Sequence, residues 1–447
     1  MEFGIILCNQ TKRGALQLTE TVYRTFINSV WIIGKEIKPK VNTWFSVKRN
    51  QYLTLAIALL VSFILRMYLS QFEGHANDIS YFKTWSRGVY YSGFSHFYND
   101  IGSDYPPLYI YILWAIGTFY KSFISFSFDI DSPIFTILLK IPAILADIAT
   151  ALLIFLIVRK YGSFRLAFIA MISYAFNPAI IYDSAIWGQV DSVFTLFFML
   201  ALMLFVSGKQ MLSGVSMALA ILTKPQSFVL VPLFALVMIK KNKNSPLTLA
   251  KILFVSCVAF VVVALPFYLD TSILDLFKLY FMSYSQYPYN TLNAFNLWAF
   301  GGLFQPDNTQ FLFMTYRMWG YLMFGFVLMY VSYLILKNKD DKSIYIACAI
   351  LFFAFFMFFT RIHERYLFPM FAPLAVAMTL DRRFSYVYVL GTLTFLFNLY
   401  FVLYEVNTRI PFPEKDFLIP VTAGINLILL IYTVYCYSTY KEHQRSY

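Results

Sequence analysis

The 447-residue chain is 60% apolar, 20% aromatic and only 13% charged, with a mean hydropathy of +0.64. Soluble domains carry about a quarter charged residues, whereas here charges cluster between apolar runs of roughly 15–25 residues, the length that crosses a bilayer core, so a soluble globular fold is excluded. The net charge of +12 does not mark a nucleic-acid binder, because its basic residues fall in interhelical clusters such as Lys240, Lys241 and Lys243, Arg159, Lys160 and Arg165, and Arg382 and Arg383, as the positive-inside bias dictates.

Residues 1–50 carry eight Lys or Arg and no apolar run before a small-residue cleavage site. They read as a basic cytoplasmic segment, not a secretory signal, with an amphipathic surface helix over 15–33. The first span is 52–70; Lys48 and Arg49 place its N-terminus inside. Residues 71–133 form a first outer loop. Its apolar run 107–127 starts at Pro106-Pro107 and is interrupted by Lys121, and an odd number of crossings is needed before the inside cluster at 159–165, so it lies along the outer interface or dips in without crossing. The longer run 134–158 ends on Arg159 and Lys160 and crosses. Beyond 165 the chain threads regularly, apart from 211–239. There two runs too short to span alone flank Thr223-Lys224-Pro225-Gln226, and Pro225 cannot donate a backbone N–H. Broken helices are tolerated where they line a cavity, so Lys224 is expected to face one. Residues 269–316 make a second large outer loop. The result is an all-α, polytopic membrane domain over 51–447 with about twelve spans and both termini cytoplasmic. Cys8, Cys257, Cys348 and Cys436 lack paired spacing, so neither disulfides nor a metal cluster are expected from them. A divalent metal is compatible with this class of membrane protein but not indicated.

Ionisable groups at a membrane edge are costly. Asp78, Asp104, Asp183, Asp191, Lys224, Arg361, His363, Glu364 and Arg365 come from five separate stretches, and all fall on the outer side. Convergence from distant stretches is what a site requires. Asp78 can act as a general base on an acceptor hydroxyl or simply cap a short helix. Asp104, held before Pro106-Pro107, is a substrate contact or a turn residue. Asp183 and Asp191 bracket Trp187-Gly188-Gln189 and read as substrate contacts or helix caps. Lys224 neutralises a donor phosphate or snorkels to the interface. Arg361 and Arg365, four apart, would share a helix face and clamp a phosphate, with His363 donating to it; alternatively Glu364 pairs Arg365 in a solvated loop. The tyrosines of 269–316 suit sugar stacking or an interfacial belt.

Taken in order, these residues resemble the GT-C superfamily of polyprenyl-phosphate-sugar-dependent glycosyltransferases. The similarity is to the glucosyltransferases of N-glycan precursor assembly and to the GPI mannosyltransferases with their bacterial relatives. The motifs are Asp78 followed by Trp85, Asp104-Tyr105-Pro106-Pro107-Leu108, Ala146-Asp147, Asn177-Pro178, a loose Lys224-Pro225-Gln226, and His363-Glu364-Arg365. The His-rich loop of the glucosyltransferases is replaced here by Asp183 to Asp191. The resemblance implies an inverting transfer of mannose or glucose from a lipid-linked donor to a glycan or lipid-linked acceptor at the outer face of the cell membrane. Asp78 would be the base; Trp85, Asp104, Tyr105, Asp183, Gln189 and Asp191 would contact substrate. Lys224, Arg361, His363, Glu364 and Arg365 would hold the donor phosphate. Rival readings are a transporter or flippase of lipid-linked glycans and an inactive envelope-assembly subunit. Membrane lipid is an expected partner in each; nucleic acid is not.

Overall fold

The computed structural model describes residues 47–338 and 340–440; the amphipathic helix expected at 15–33 lies outside them. Two compact units divide after Ala58. The first is described only over 47–58, the opening of helix α1 (Lys48–Leu69). The functional geometry below belongs to the second.

After α1 the chain turns at Gly74 and enters α2 (Ala76–Asp100), capped by His75, whose Nδ1 accepts from the Asp78 backbone N–H. Gly93, at φ 73°, kinks this helix. α3 (Pro107–Phe123) opens with proline in the first turn, where a missing N–H costs nothing. α4 (Pro133–Arg159) ends on Arg159, which suits the negative end of the helix dipole. α5 (Phe164–Ala175) is followed by Asn177, which caps the single turn α6 (Pro178–Ile181). That turn widens into a π-helical turn over Tyr182–Trp187 and stops at Gly188, φ 89°. α7 (Asp191–Val206) and α8 (Gln210–Thr223) pack as a hairpin, with α7 against α4. Lys224 is extended and Pro225 starts a 3₁₀ stretch to Leu230 before α9 (Val231–Lys241), so 211–239 is broken where the sequence reading breaks it. α10 (Pro246–Ala264) lies beside α8. The stretch to Thr315 contains α11 (Asp275–Ser285) and a two-stranded hairpin, β1 (Gln310–Phe311) with β2 (Met314–Thr315). α12 (Tyr316–Lys337) and α13 (Ser343–Phe358) follow, then a 3₁₀ segment Glu364–Met370 continuing into α14 (Phe371–Leu380). α15 (Phe384–Thr408) and α16 (Lys415–Ser438) close the chain.

Among the described residues, six helices are long and apolar enough to cross a membrane, or seven if the bent pair 164–175 and 178–187 counts as one span. The expectation of about twelve counted apolar runs. Several of those runs are folded as short or broken helices, such as α7, α8, α9 and α13, which fall below spanning length. α3, with 17 residues, is also too short.

The helices of the first loop are fixed by aromatic packing. Phe82, Trp85, Tyr105 and Tyr109 meet with ring centroids 5.3–5.8 Å apart. They continue into a buried cluster with Ala146 of α4, Val190, Val193 of α7 and Leu222 of α8. Offset and edge contacts between large rings are the favoured geometry. Gly117 lets α3 approach α2 closely, since a Cβ there would lie 2.8 Å from Ser86 Oγ.

Candidate active site

A cavity of about 1670 Å³ is lined by Asp78, Asp104, Lys224, Arg361, His363, Glu364 and Arg365, with Trp85 and Tyr105 also in its wall. Separate stretches of sequence, from His75 to Val406, contribute to it. Apolar and aromatic side chains, including Phe228, Leu279, Met282, Phe324, Phe355 and Phe359, also line it.

Asp78 stands in the first turn of α2; the helix cap is His75, so the alternative role of Asp78 as the capping residue does not apply. Trp187 Nε1 donates to Asp78 Oδ2 at 2.8 Å and Gln189 Nε2 donates to the same oxygen at 2.7 Å. His75 Nδ1 is 3.5 Å from Oδ2. Because that nitrogen accepts from the Asp78 N–H, the neutral ring carries its proton on Nε2. These contacts converge on Oδ2 and leave Oδ1 for the cavity. Burial pushes the Asp78 carboxyl upward, but the Arg365 guanidinium, His75 and the two hydrogen bonds outweigh it and hold it well below the usual carboxylate range. Asp104 behaves oppositely: burial raises its carboxyl, against its own backbone N–H and the charges of Arg365 and Lys224. The Asp104 backbone carbonyl accepts from Ser283 Oγ at 2.9 Å, which ties α11 to the entry of α3.

Three residues expected to contact substrate do not line the cavity. Gln189 is buried; its amide nitrogen holds Asp78 and its Oε1 accepts from Tyr105 Oη at 3.3 Å. Asp191 is buried and forms an ion pair with Lys224 Nζ at 2.7 Å. Asp183 is fully buried in the π-helical turn, and neither carboxyl oxygen finds a hydrogen-bond partner among the described residues. The sequence reading placed them by proximity to Trp187. The tight turn at Gly188 instead folds them behind the wall that Asp78 occupies.

The expected clamp of Arg361 and Arg365 on one helix face is corrected. Arg361 sits before the 3₁₀ segment at φ 65°, and its Nε binds Asp307 Oδ2 at 2.7 Å. Its Nη1 donates to the Tyr284 carbonyl at 2.9 Å, and the guanidinium lies 4.4 Å from the Tyr284 ring. It therefore fastens the 269–316 segment to the start of the 3₁₀ turn. Arg365 pairs with Glu364 through Nη1 at 3.0 Å, while its Nε is buried without a partner. An unpartnered donor on a buried guanidinium of the cavity wall suits an anion. His363 packs edge-on against Tyr287, ring centroids 5.6 Å apart. Lys224 Nζ lies 5.6 Å from the Tyr105 ring and 5.8 Å from that of Tyr366. No group of three or more His, Cys, Asp or Glu suited to a metal occurs among the described residues.

Sequence reasoning passed over His75, Asp307 and Lys140. His75 had a legible signal, three residues before Asp78 at a helix start. Asp307 and Lys140 are lone charges whose partners are far away in sequence.

The sequence profile of the dolichyl-phosphate-mannose-protein mannosyltransferase family matches residues 104–268. No curated protein gives a significant sequence match. Among solved structures, ArnT from Cupriavidus metallidurans, bound to undecaprenyl phosphate, is similar over 88% of this chain and 77% of its own, with a TM-score of 0.51 at 13% identity. The Archaeoglobus fulgidus oligosaccharyltransferase, in the apo form, matches 90% of this chain and 57% of its own, with a TM-score of 0.47 at 13% identity. The helical fold is similar to that of ArnT, and residues 104–268 are similar to the dolichyl-phosphate-mannose-protein mannosyltransferase family.

Proposed function

We propose that the chain transfers a hexose, mannose or glucose, from a polyprenyl-phosphate donor to a hydroxyl of an extracytoplasmic glycan or lipid-linked acceptor, with inversion and with Asp78 as general base. The observation that carries this reading is the Asp78 carboxylate at a cavity wall, with one oxygen held by two donors and the other free, in the same cavity as Arg365 and Lys224. The acceptor oxygen forms the new bond to the anomeric carbon and its proton passes to Asp78 Oδ1. The bond from that carbon to the phosphate oxygen breaks, and the lipid phosphate leaves with the electron pair. Arg365, whose Nε–H is unpaired, offers its positive charge to that developing charge, and Lys224 adds a second cation already balanced by Asp191. A carboxylate held so low stays ionised at physiological pH but is a weak base. Proton transfer therefore accompanies C–O bond formation, when the acceptor hydroxyl has become acidic. The apolar and aromatic part of the cavity lining suits the isoprenoid chain.

The test is transfer of labelled hexose from a synthetic polyprenyl-phosphate donor by the purified full-length protein. Wild type should consume donor, and Asp78→Asn should lose on the order of 100-fold or more in turnover while still binding donor. A flippase would move the lipid across vesicles without consuming it. Retention of a tenth of turnover by Asp78→Asn would remove Asp78 from the base role.

A further inference from the structure

α4 carries one charge that no helix of a membrane protein needs for packing. Lys140 is fully buried, and no carboxylate pairs with it among the described residues. Its three Nζ–H donors are shared among four backbone carbonyls: Ser70 at 3.3 Å, Phe72 at 2.5 Å, Ala185 at 3.1 Å and Ile186 at 2.9 Å. Two of these lie just past the C-terminal end of α1; the other two lie near the end of the π-helical turn that finishes at Trp187. Helix C-termini present unpaired carbonyls and a partial negative charge. One ammonium thus joins two such ends, and its charge is compensated by their dipoles. An apolar side chain of the same length would fill the space at no desolvation cost, so packing alone does not account for a lysine here.

Both joined segments lead directly to Asp78. The first runs through Gly74 and His75 into α2. The second ends in Trp187 and Gln189, the two donors on Asp78 Oδ2. They are stitched again above the lysine, where the His75 N–H donates to the Trp187 carbonyl at 3.0 Å. The His75 ring stacks on the Trp187 indole with centroids 4.7 Å apart and planes within 4°. Gly188 fills the remaining gap, since a Cβ there would lie 2.7 Å from Ile79 Cδ1 and 3.0 Å from Lys140 Cε.

We propose that Lys140 is a positioning residue for the reaction: it locks the end of α1 to the π-helical turn and so holds the Asp78 carboxylate on its Trp187 and Gln189 donors. This rests on Asp78 being the base, as proposed above. Lys140 touches no substrate. Its removal should let the two segments drift, and misplacement of a reacting group by about 1 Å can cost about 100-fold in rate.

The experiment uses full-length protein in detergent, with Lys140→Met and Lys140→Gln. Gln keeps two N–H donors and serves if the Met variant fails to fold. Steady-state transfer and amide hydrogen exchange over 70–79 and 183–190 are measured together. The expected result is a fall in kcat of about 10- to 100-fold with donor KM within twofold of wild type, and faster exchange in both segments but not in α12 or α16. The Gln variant should lose less than the Met variant. Wild-type kcat and unchanged exchange in a folded variant would overturn the role of Lys140 while leaving Asp78 as base. Loss of folded protein in Met, with wild-type kcat in Gln, would also overturn it, making Lys140 structural only. Full activity of Asp78→Asn in the same assay would instead overturn the base assignment, and the positioning proposal with it.

Discussion

Arg365 and Arg361 differ by four positions in sequence and by their whole function in space. Arg361 is consumed by Asp307 and the Tyr284 carbonyl, whereas Arg365 keeps a buried Nε without a partner. Arg365→Lys should weaken donor binding by about 1–3 kcal/mol, because an ammonium cannot reproduce the planar fork. Arg361→Lys should leave donor affinity unchanged, as titration of polyprenyl-phosphate-sugar into both solubilised variants would reveal. Equal losses in the two would restore the clamp. The same guanidinium sets the pH behaviour of Asp78. Its carboxyl is lowered in the folded protein, so the stability it contributes is complete above the unfolded pKa of about 3.9 and is lost as pH falls toward the lower folded value. Turnover should therefore show no acid limb from Asp78 near pH 4–5. Arg365→Gln removes the strongest influence lowering that carboxyl and should bring such a limb into view in the kcat/KM profile. An unchanged profile in the variant would mean that the charges do not communicate.

Among the elements, the turn into α2 is the most exacting. Gly74 adopts φ 87°, and a Cβ there would lie 2.5 Å from the Trp187 carbonyl oxygen. No side chain fits without parting the turn from the segment that supplies the Asp78 donors. Gly74→Ala should destabilise the protein by on the order of 1–3 kcal/mol and lower kcat more than it raises donor KM. A variant with wild-type melting temperature and kcat would show the junction to be tolerant. The π-helical turn matters for the same reason: its extra residue per turn directs Trp187 toward Asp78 and buries Asp183.

For the whole chain, the threading of the first loop makes a prediction of its own. Residues 71–133 are proposed to lie on one side of the bilayer, with α3 along its surface. In a background with the four native cysteines replaced, Ser103→Cys and Ser132→Cys should both react with a membrane-impermeant thiol reagent added to intact cells. Reaction of Ser132→Cys only after permeabilisation would mean that α3 crosses.

What the sequence determined by itself was set by solvent and by local stereochemistry. Apolar runs and basic clusters required a polytopic helical membrane protein. Pro225 broke 211–239, and Asp78, Asp104, Lys224 and the Arg361–Arg365 run marked where a cavity would form, whereas Asp183 and Asp191 did not. Only the tertiary structure decided which charge meets which. Arg361 went to Asp307, Lys224 to Asp191 and Lys140 to four carbonyls, each across 33 to 70 positions of sequence. An ion pair in a low-dielectric interior is fixed by distance in space, which single-sequence spacing does not encode beyond one helical turn. Likewise, apolar length counted runs but could not tell a straight span from a bent one, because the backbone groups freed at a break are satisfied by neighbouring helices and by the cavity they enclose.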